Sequence, residues 1–523
     1  MIAMVRDLLD RRLGAVTTYR LVTIVLAVLV AVFCLFTATG VIEGLSTGDN
    51  LVCLLVLLVA SYGSNRLLGL AWRVTPHGES AVITALLLFF LFVPLPSIDT
   101  GNLVWLALAA VLANASKYVL AWRGRHIFNP AAAGAFLVVV GQDVVGRQEP
   151  INAIWQTAAT ERLFPFVVVG ALLVLWRTRR LDVALVFVAV AGVLVGARLL
   201  DLAPPGQPFG DVLKLVAYSY PIVFLAGFML SEPLTLPPRR RQQLVVAAVT
   251  GVLFAYPMWI GWFTDTPPAL GVFAISPELS LLIGNLVAFA LARRTGVTLE
   301  LETTRRVTPE THELVFRPRR PVRFVPGQYV ELTVPHAGAD GRGTRRTFSI
   351  SSPPADDGRV AVMLRVPDRA STFKRALLEL EPGSRVHGTG IGGDFVLPAD
   401  PATPLLLVAG GIGITPFLSQ LRHGPDRDVV LVLGVSSAAE VPYADELSGV
   451  QVVLVCPEPP DHLPSGWAFV RAPVLSADLI AEAVPDLAER RAYVSGPPAM
   501  VNAVRAGLAR RCRSVRTDYF SGY

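Results

Sequence analysis

The chain has 523 residues, of which 53% are hydrophobic and only 16% charged, with a formal net charge of +6. That balance excludes an ordinary soluble protein, because the apolar excess is concentrated before about residue 295. Four scattered cysteines, Cys34, Cys53, Cys456 and Cys512, exclude a disulfide framework and a cysteine-held iron–sulfur cluster.

Residues 1–20 read as a cytosolic N-terminal segment, with Arg6, Arg11, Arg12 and Arg20 before the first apolar run. From residue 21 to 295 about ten runs are long enough to approach the roughly 30 Å hydrocarbon thickness of a bilayer. They centre on Val28, Leu57, Leu88, Ala109, Val138, Gly170, Ala191, Phe224, Val252 and Asn285. Basic residues fall on alternate connections: Arg66 and Arg73, then Lys117, Arg123 and Arg125, then Arg177, Arg179 and Arg180, then Arg239, Arg240 and Arg241, then Arg293 and Arg294. The intervening connections carry Glu43, Asp49, Asp99, Asp143, Glu149 and Asp265. The positive-inside rule then places both ends in the cytosol, in a multi-pass protein of the cell membrane, and accounts for the net charge without nucleic acid. The only histidines of this half, His77 and His126, lie in predicted loops, which excludes paired haem ligands inside helices.

Asn129-Pro130 opens a small-residue helix, AAAG, and Ser276-Pro277-Glu278 opens the last apolar run from the other side. That placement predicts an inverted repeat of about five helices per half. Glu232, in Ser231-Glu232-Pro233-Leu234-Thr235, puts a carboxylate at a membrane edge.

From residue 296 the pattern changes to short alternating strands at 298–302, 312–316, 329–334 and 360–365, which predicts an antiparallel β-barrel over 296–400. Residues 401–523 alternate apolar strands with amphipathic helices, as in an α/β domain with a parallel sheet. Leu405–Ala409 is a strand buried on both faces. Gly410, Gly411 and Gly413 follow as a turn bare enough for backbone N–H groups to approach a phosphate, with Pro416 suited to a first helical turn. The spacing Gly-x-Gly-x-x-Pro differs from the usual dinucleotide fingerprint. In the barrel, Arg346, Phe348 and Ser349 sit on one predicted strand, RTFSISS, able to hold a phosphate and cover a flat ring.

Two resemblances follow from these motifs. FNPAA at 128–132, the EPLT segment and Glu79-Ser80 with Thr84 resemble the flavin-bearing membrane subunits of the Nqr and Rnf electron-transport complexes, the NqrB/RnfD family. This implies FMN or riboflavin near Asn129, or an FMN on Thr160 in the outer segment Gln156-Thr157-Ala158-Ala159-Thr160, which lacks the Asp and Gly of that family's attachment motif. RTFSISS, Gly390-Ile391-Gly392-Gly393-Asp394-Phe395, the glycine turn, Ser495-Gly496-Pro497-Pro498-Ala499-Met500 and Phe520-Ser521-Gly522-Tyr523 resemble, in this order, the ferredoxin–NADP reductase superfamily. This implies FAD on Arg346, Thr347, Phe348, Ser349, Gly392, Gly393, Phe395 and Tyr523. It implies NADH or NADPH on Gly410, Gly411, Gly413, Thr415, Pro416, Gly496, Pro497 and Met500, with Ser349, Ser495 and Tyr523 nearest the reacting atoms. Ser495 stands where cysteine is often found, and Val435-Ser436-Ser437 offers no arginine to a 2′-phosphate, which favours NADH.

The resulting expectation is a membrane flavoprotein oxidoreductase that takes electrons from NAD(P)H through FAD to a quinone, a membrane flavin or an acceptor outside, with ion coupling implied by resemblance. Membrane lipid and partner redox proteins are its expected partners. Two readings stay open beside it: a redox-regulated transporter of a small solute or ion, and a membrane-anchored reductase serving a separate partner protein.

Overall fold

The computed structural model describes residues 16–74, 76–122, 125–264, 271–292, 296–340, 343–354, 358–368, 370–424, 427–447 and 449–520. The loop residues Arg123, Asp265, Arg293 and Arg294, the N-terminal Arg6, Arg11 and Arg12, and the terminal Ser521, Gly522 and Tyr523 lie outside them. The chain divides into two compact units, Ala15–Arg293 and a second containing Arg294–Tyr523.

In the first unit every predicted apolar centre falls inside a helix, but the helices are unequal. Among the described residues four are long and apolar enough to cross a bilayer: α1 (Thr18–Ala38), α2 (Thr47–Ala71), α4 (Thr100–Val119) and α7 (Leu181–Asp201). The count rises to six if two bent pairs are each taken as one span: α8 (Phe209–Ser219) with α9 (Ile222–Leu230), and α10 (Arg240–Phe254) with α11 (Tyr256–Trp262). The other four, α3 (Gly78–Phe92), α5 (Pro130–Val144), α6 (Phe164–Thr178) and α12 (Pro277–Ala292), are 15 or 16 residues long. At 1.5 Å per residue such helices reach only about 24 Å. Of the roughly ten apolar runs read from the sequence, these four are therefore short as helices, since an apolar run includes extended residues that add hydropathy without adding helix. α9 itself winds mostly as a π-helix over Leu225–Leu230, and its pair is bent by 50°.

Small residues let these helices meet at backbone distance. A Cβ on Gly134 would lie 2.5 Å from the Ala109 carbonyl oxygen, and one on Gly227 2.4 Å from Ala171 Cβ.

Among the described residues the second unit holds two six-stranded sheets. The antiparallel one contains β3 (Val297–Arg306), β4 (Thr311–Pro318), β5 (Tyr329–Thr333), β6 (Arg345–Ser349), β7 (Val360–Arg365) and β8 (Arg385–Gly392), the hairpin β1 (Ala121–Trp122) and β2 (Arg125–His126) belonging to the first unit. Its order is β6-β5-β8-β3-β4-β7, and an Ile350–Val362 bridge joins its two ends into a barrel. Leu299, Phe316, Val330, Leu332, Phe348 and Phe373 fill the interior.

The parallel sheet contains β9 (Leu405–Gly410), β10 (Val429–Gly434), β11 (Gln451–Cys456), β12 (Trp467–Arg471), β13 (Arg491–Gly496) and β14 (Ser514–Tyr519). Every residue of β9 is buried. The order β12-β11-β10-β9-β13-β14 means the chain builds outward from β9 to one edge, then returns to lay β13 on β9's other side. The order therefore reverses between β9 and β13, and in open α/β sheets the crevice beyond the carboxyl ends of two such strands is where ligands bind.

Candidate functional site

The β9/β13 crevice is built from backbone. After Gly410 the chain makes a 3₁₀ turn, Gly411–Ile414, and enters a helix, Thr415–His423, with Pro416 in its first turn. A Cβ on Gly413 would sit 2.4 Å from the Ser495 carbonyl oxygen and 2.7 Å from Gly496 Cα, so the turn lies directly against the end of β13. Gly411 has φ +53°, a left-handed conformation that costs other residues energy. The sequence-predicted Gly410, Gly411, Gly413, Ser495, Gly496, Pro497 and Met500 thus converge. A Cβ on Gly410 would meet Met500 Cε at 2.7 Å and Pro497 Cδ at 3.1 Å. Thr415 is buried at the crevice floor and donates its hydroxyl to the Ile412 carbonyl.

Beside the turn opens a cleft of about 280 Å³, lined among others by Gly410, Gly411, Ser436, Glu440, Pro497 and Met500. Glu440 is fixed there by the Thr308 hydroxyl, which donates to its carboxylate at 2.6 Å.

Two acidic and polar groups at the crevice stand out. Ser495 is completely buried, and its hydroxyl has no hydrogen-bond partner. In the parallel register its neighbour on β14 is Asp518, and residues so paired point to the same face. Burial, with the Asp394 carboxylate adding to it, pushes the Asp518 carboxyl up to about 6. The sequence reading missed Asp518 because a lone acid in a polar stretch, TDYF, gives no periodic signal. Only the register with β13 brings it to Ser495.

In the barrel, Arg346 is 5% exposed. Its guanidinium donates to the Gly343 and Arg345 carbonyls and to Asp340, and lies 5.1 Å from the centre of the Phe373 ring. Ser349 is buried two registers beyond Thr347 on β6. Gly392 ends β8 opposite Tyr329, and Gly393 has φ +112° with room for no more than a hydrogen beside the Tyr329 ring, 3.0 Å from its would-be Cβ. Three placements bear on the expected flavin face. Strand alternation points Thr347 outward, away from Arg346 and Phe348. Phe348 belongs to the barrel core, with its ring stacked on Phe373 at 6.0 Å. Phe395 is not a barrel residue at all: it packs in the parallel-sheet core against Phe417 and Tyr493. Tyr523 lies outside the described residues.

A buried polar seam joins barrel to parallel sheet, and none of it was visible in the sequence. Glu313 of β4, 3% exposed, accepts from the Ser351 hydroxyl at 3.0 Å and the Tyr443 hydroxyl at 2.5 Å. Arg422 stands 3.7 Å from the same carboxylate, donates to the Ser351 carbonyl and to Glu446, and lies over the Tyr443 ring at 4.6 Å. Ser419 and Gln420 add hydrogen bonds to the carbonyls of Ser352 and Phe395. Burial and then the Glu313 carboxylate push the Tyr443 phenol far above its ordinary value. Glu313→Ala leaves the Tyr443 and Ser351 hydroxyls without their acceptor and removes the nearest carboxylate from Arg422, and is expected to cost about 3 kcal/mol. Urea unfolding of the purified protein measures it, with Glu313→Gln retaining about half of the loss-free stability difference because it still accepts one hydrogen bond.

In the first unit the expected flavin contacts are engaged in protein hydrogen bonds. The Asn129 side chain caps α5 through the Ala132 N–H and donates to Glu232 at 3.1 Å, while its backbone N–H donates to Asn285. His126 meets the other Glu232 oxygen at 2.9 Å. Thr160 turns its hydroxyl back to the Gln156 carbonyl. Deeper among the helices, the Lys117 ammonium donates to the Ser80 carbonyl and hydroxyl, to Thr84 and to Asn114. Among the described residues no group of acids, histidines and cysteines is arranged to hold a metal ion.

Residues 407–506 match the oxidoreductase NAD-binding domain family. The reductase subunit of an aromatic O-demethylase from an Amycolatopsis species is 32% identical over 246 residues, covering 44% of this chain and 69% of that one. The reductase component of propane 2-monooxygenase from Mycolicibacterium goodii is 29% identical over 215 residues, 38% of this chain and 60% of that one. Among solved structures, the Amycolatopsis cytochrome P450 reductase is 28% identical over 43% of this chain and 70% of that chain, with a TM-score of 0.37.

Proposed function

This chain belongs to the NAD(P)H-dependent flavin oxidoreductases of ferredoxin–NADP reductase type, and on that premise we propose that it is a membrane-held reductase whose electrons leave to a separate redox protein. The observation that carries the reading is the β9/β13 crevice, where Gly413 touches the Ser495 carbonyl and a nicotinamide nucleotide has backbone on both sides. FAD supplies the step between a two-electron hydride donor and acceptors that take electrons singly. The residues present fit it. Gly393, at φ +112°, has no Cβ to crowd the Tyr329 ring, and Arg346 is a buried cation whose Nε makes no hydrogen bond and is suited to a phosphate, with Ser349 on the same strand.

The remaining roles belong to the chain's own groups. Gly410, Gly411 and Gly413 let amide N–H groups approach the nucleotide's phosphates, and Pro497 and Met500 wall the slot in which its ring lies. Glu440 stands in the cleft where it can accept ribose hydroxyls, and Arg365, itself paired with Glu310, lines the same cleft. The seam at Glu313 fixes the angle between barrel and sheet, on which close approach of donor and flavin depends. The relatives' own designations, reductase subunit and reductase component, support delivery to a protein partner. The apolar helices α1, α2, α4 and α7 support insertion.

The test uses full-length protein in lipid vesicles. Acid precipitation is expected to release one FAD per chain and leave none on the pellet. NADH is expected to reduce cytochrome c at least about tenfold faster than a membrane-dissolved quinone, a barrier difference of one factor of ten. A second flavin, or quinone reduction as fast as that of cytochrome c, would move the electron route into the membrane unit.

A further inference from the structure

The end of β4 and its connection to β5 carry four arginines within seven residues, Arg317 in the strand and Arg319, Arg320 and Arg323 beyond it. Arg317 is paired with Glu302. Arg319, Arg320 and Arg323 are exposed, and among the described residues their side chains make neither hydrogen bond nor ion pair. Carboxylates usually shadow such a density of charge, and its isolation calls for an external anion.

The loop is held in shape while its charges face out. Phe324 is buried in the barrel core and Val322 packs against it. The Arg319 N–H donates to the Thr298 carbonyl at 3.0 Å, and the Val325 N–H to the Gln328 side chain at 2.9 Å. Between the arginines' positions and the turn stands Val325, 51% exposed. An anchored loop carrying three exposed guanidinium groups beside an exposed aliphatic side chain suits a layer that is anionic outside and apolar beneath.

Chain connectivity decides which anion. α12 ends at Ala292, and Arg319 is bonded to Thr298, six residues later. Six residues span at most about 22 Å when fully extended. The arginine loop is thereby tethered to the end of an apolar helix, a restriction that a docking surface for a diffusing protein has no need of. We infer that Arg319, Arg320 and Arg323 form a contact surface for anionic phospholipid headgroups, holding the reductase unit's barrel at the bilayer surface. The inference rests on the proposed insertion of the first unit.

Full-length protein in vesicles of phosphatidylcholine, with and without added phosphatidylglycerol, tests it by hydrogen exchange at residues 319–325. Each arginine near an anionic surface strengthens association roughly fivefold, so phosphatidylglycerol is expected to slow exchange at least about tenfold. High salt should erase the effect. The triple variant Arg319→Ser, Arg320→Ser, Arg323→Ser should not respond, whereas Arg510→Ser with Arg513→Ser, which removes exposed charge elsewhere on the unit, should respond like the parent. No slowing, equal loss in both variants, or slowing that needs an acidic soluble redox protein instead of lipid would each overturn the assignment. Alkaline carbonate extraction separates the two readings. A chain released from the vesicles refutes insertion itself, and a retained chain indifferent to phosphatidylglycerol refutes only the arginine contact.

Discussion

Gly413→Ala is expected to retain FAD and lose NADH-driven flavin reduction by at least about a hundredfold, close to 3 kcal/mol of barrier. The added methyl would sit 2.4 Å from the Ser495 carbonyl oxygen and 2.7 Å from Gly496 Cα. Both obstacles are backbone, and neither can swing aside as a side chain would. β13 is paired in parallel register with β9 on one side and β14 on the other, so relief must come from the turn. Overpacking of this kind costs about 1–3 kcal/mol in a core, and here the displaced atoms are the amides facing the nucleotide. Gly411→Ala separates the two reasons for glycine: nothing lies within 4 Å of its Cβ, but its φ is +53°. Left-handed strain of about 1–2 kcal/mol predicts a loss nearer tenfold. Anaerobic stopped-flow reduction, with flavin content measured on the same samples, reads both. Unimpaired reduction in Gly413→Ala would remove the nucleotide from this crevice.

The crevice was legible because its parts are contiguous or carry their own backbone requirement. Leu405–Ala409 is apolar enough to be buried on both faces, and three glycines follow it within four residues, Gly411 in a left-handed conformation. β7 was bounded correctly at Val360–Arg365, since an apolar run ends there in a charge. What failed had its cause in three dimensions. β8 and β14 carry mixed residues, and their strand character comes from neighbours supplying hydrogen bonds rather than from alternation. Phe395 follows the glycines that close β8 and was read with them, yet the chain crosses there into the second core. The Glu313 seam joins positions as far apart as 313 and 443, a separation at which one sequence has no signal. In the first unit hydropathy located every helix but could not measure its length, because Pro130 and Pro277 start their helices inside the apolar runs.

Asp518→Asn is expected to flatten the pH dependence of stability and to abolish an inflection near pH 6 in flavin reduction. In the folded chain the Asp518 carboxyl is pushed up to about 6, against about 3.9 for an unstrained aspartate. Below pH 4 the group is protonated whether the chain is folded or not. Between about 4 and 6 the unfolded chain has released the proton that the folded chain still holds, so stability falls as pH rises. At 1.36 kcal/mol per pH unit the loss is at most about 3 kcal/mol and is complete above pH 6. Asparagine has the same shape and no charge to bury, so the variant should match the parent at pH 4 and exceed it at pH 7. Chemical denaturation at the two pH values measures this, and a slope that survives in the variant would place its origin in another group. A stabler variant with unchanged turnover would make Asp518 a structural relic. If instead the variant is stabler and slower, with the inflection gone, the acid is kept at a cost to the fold because it acts beside the unpartnered Ser495 hydroxyl.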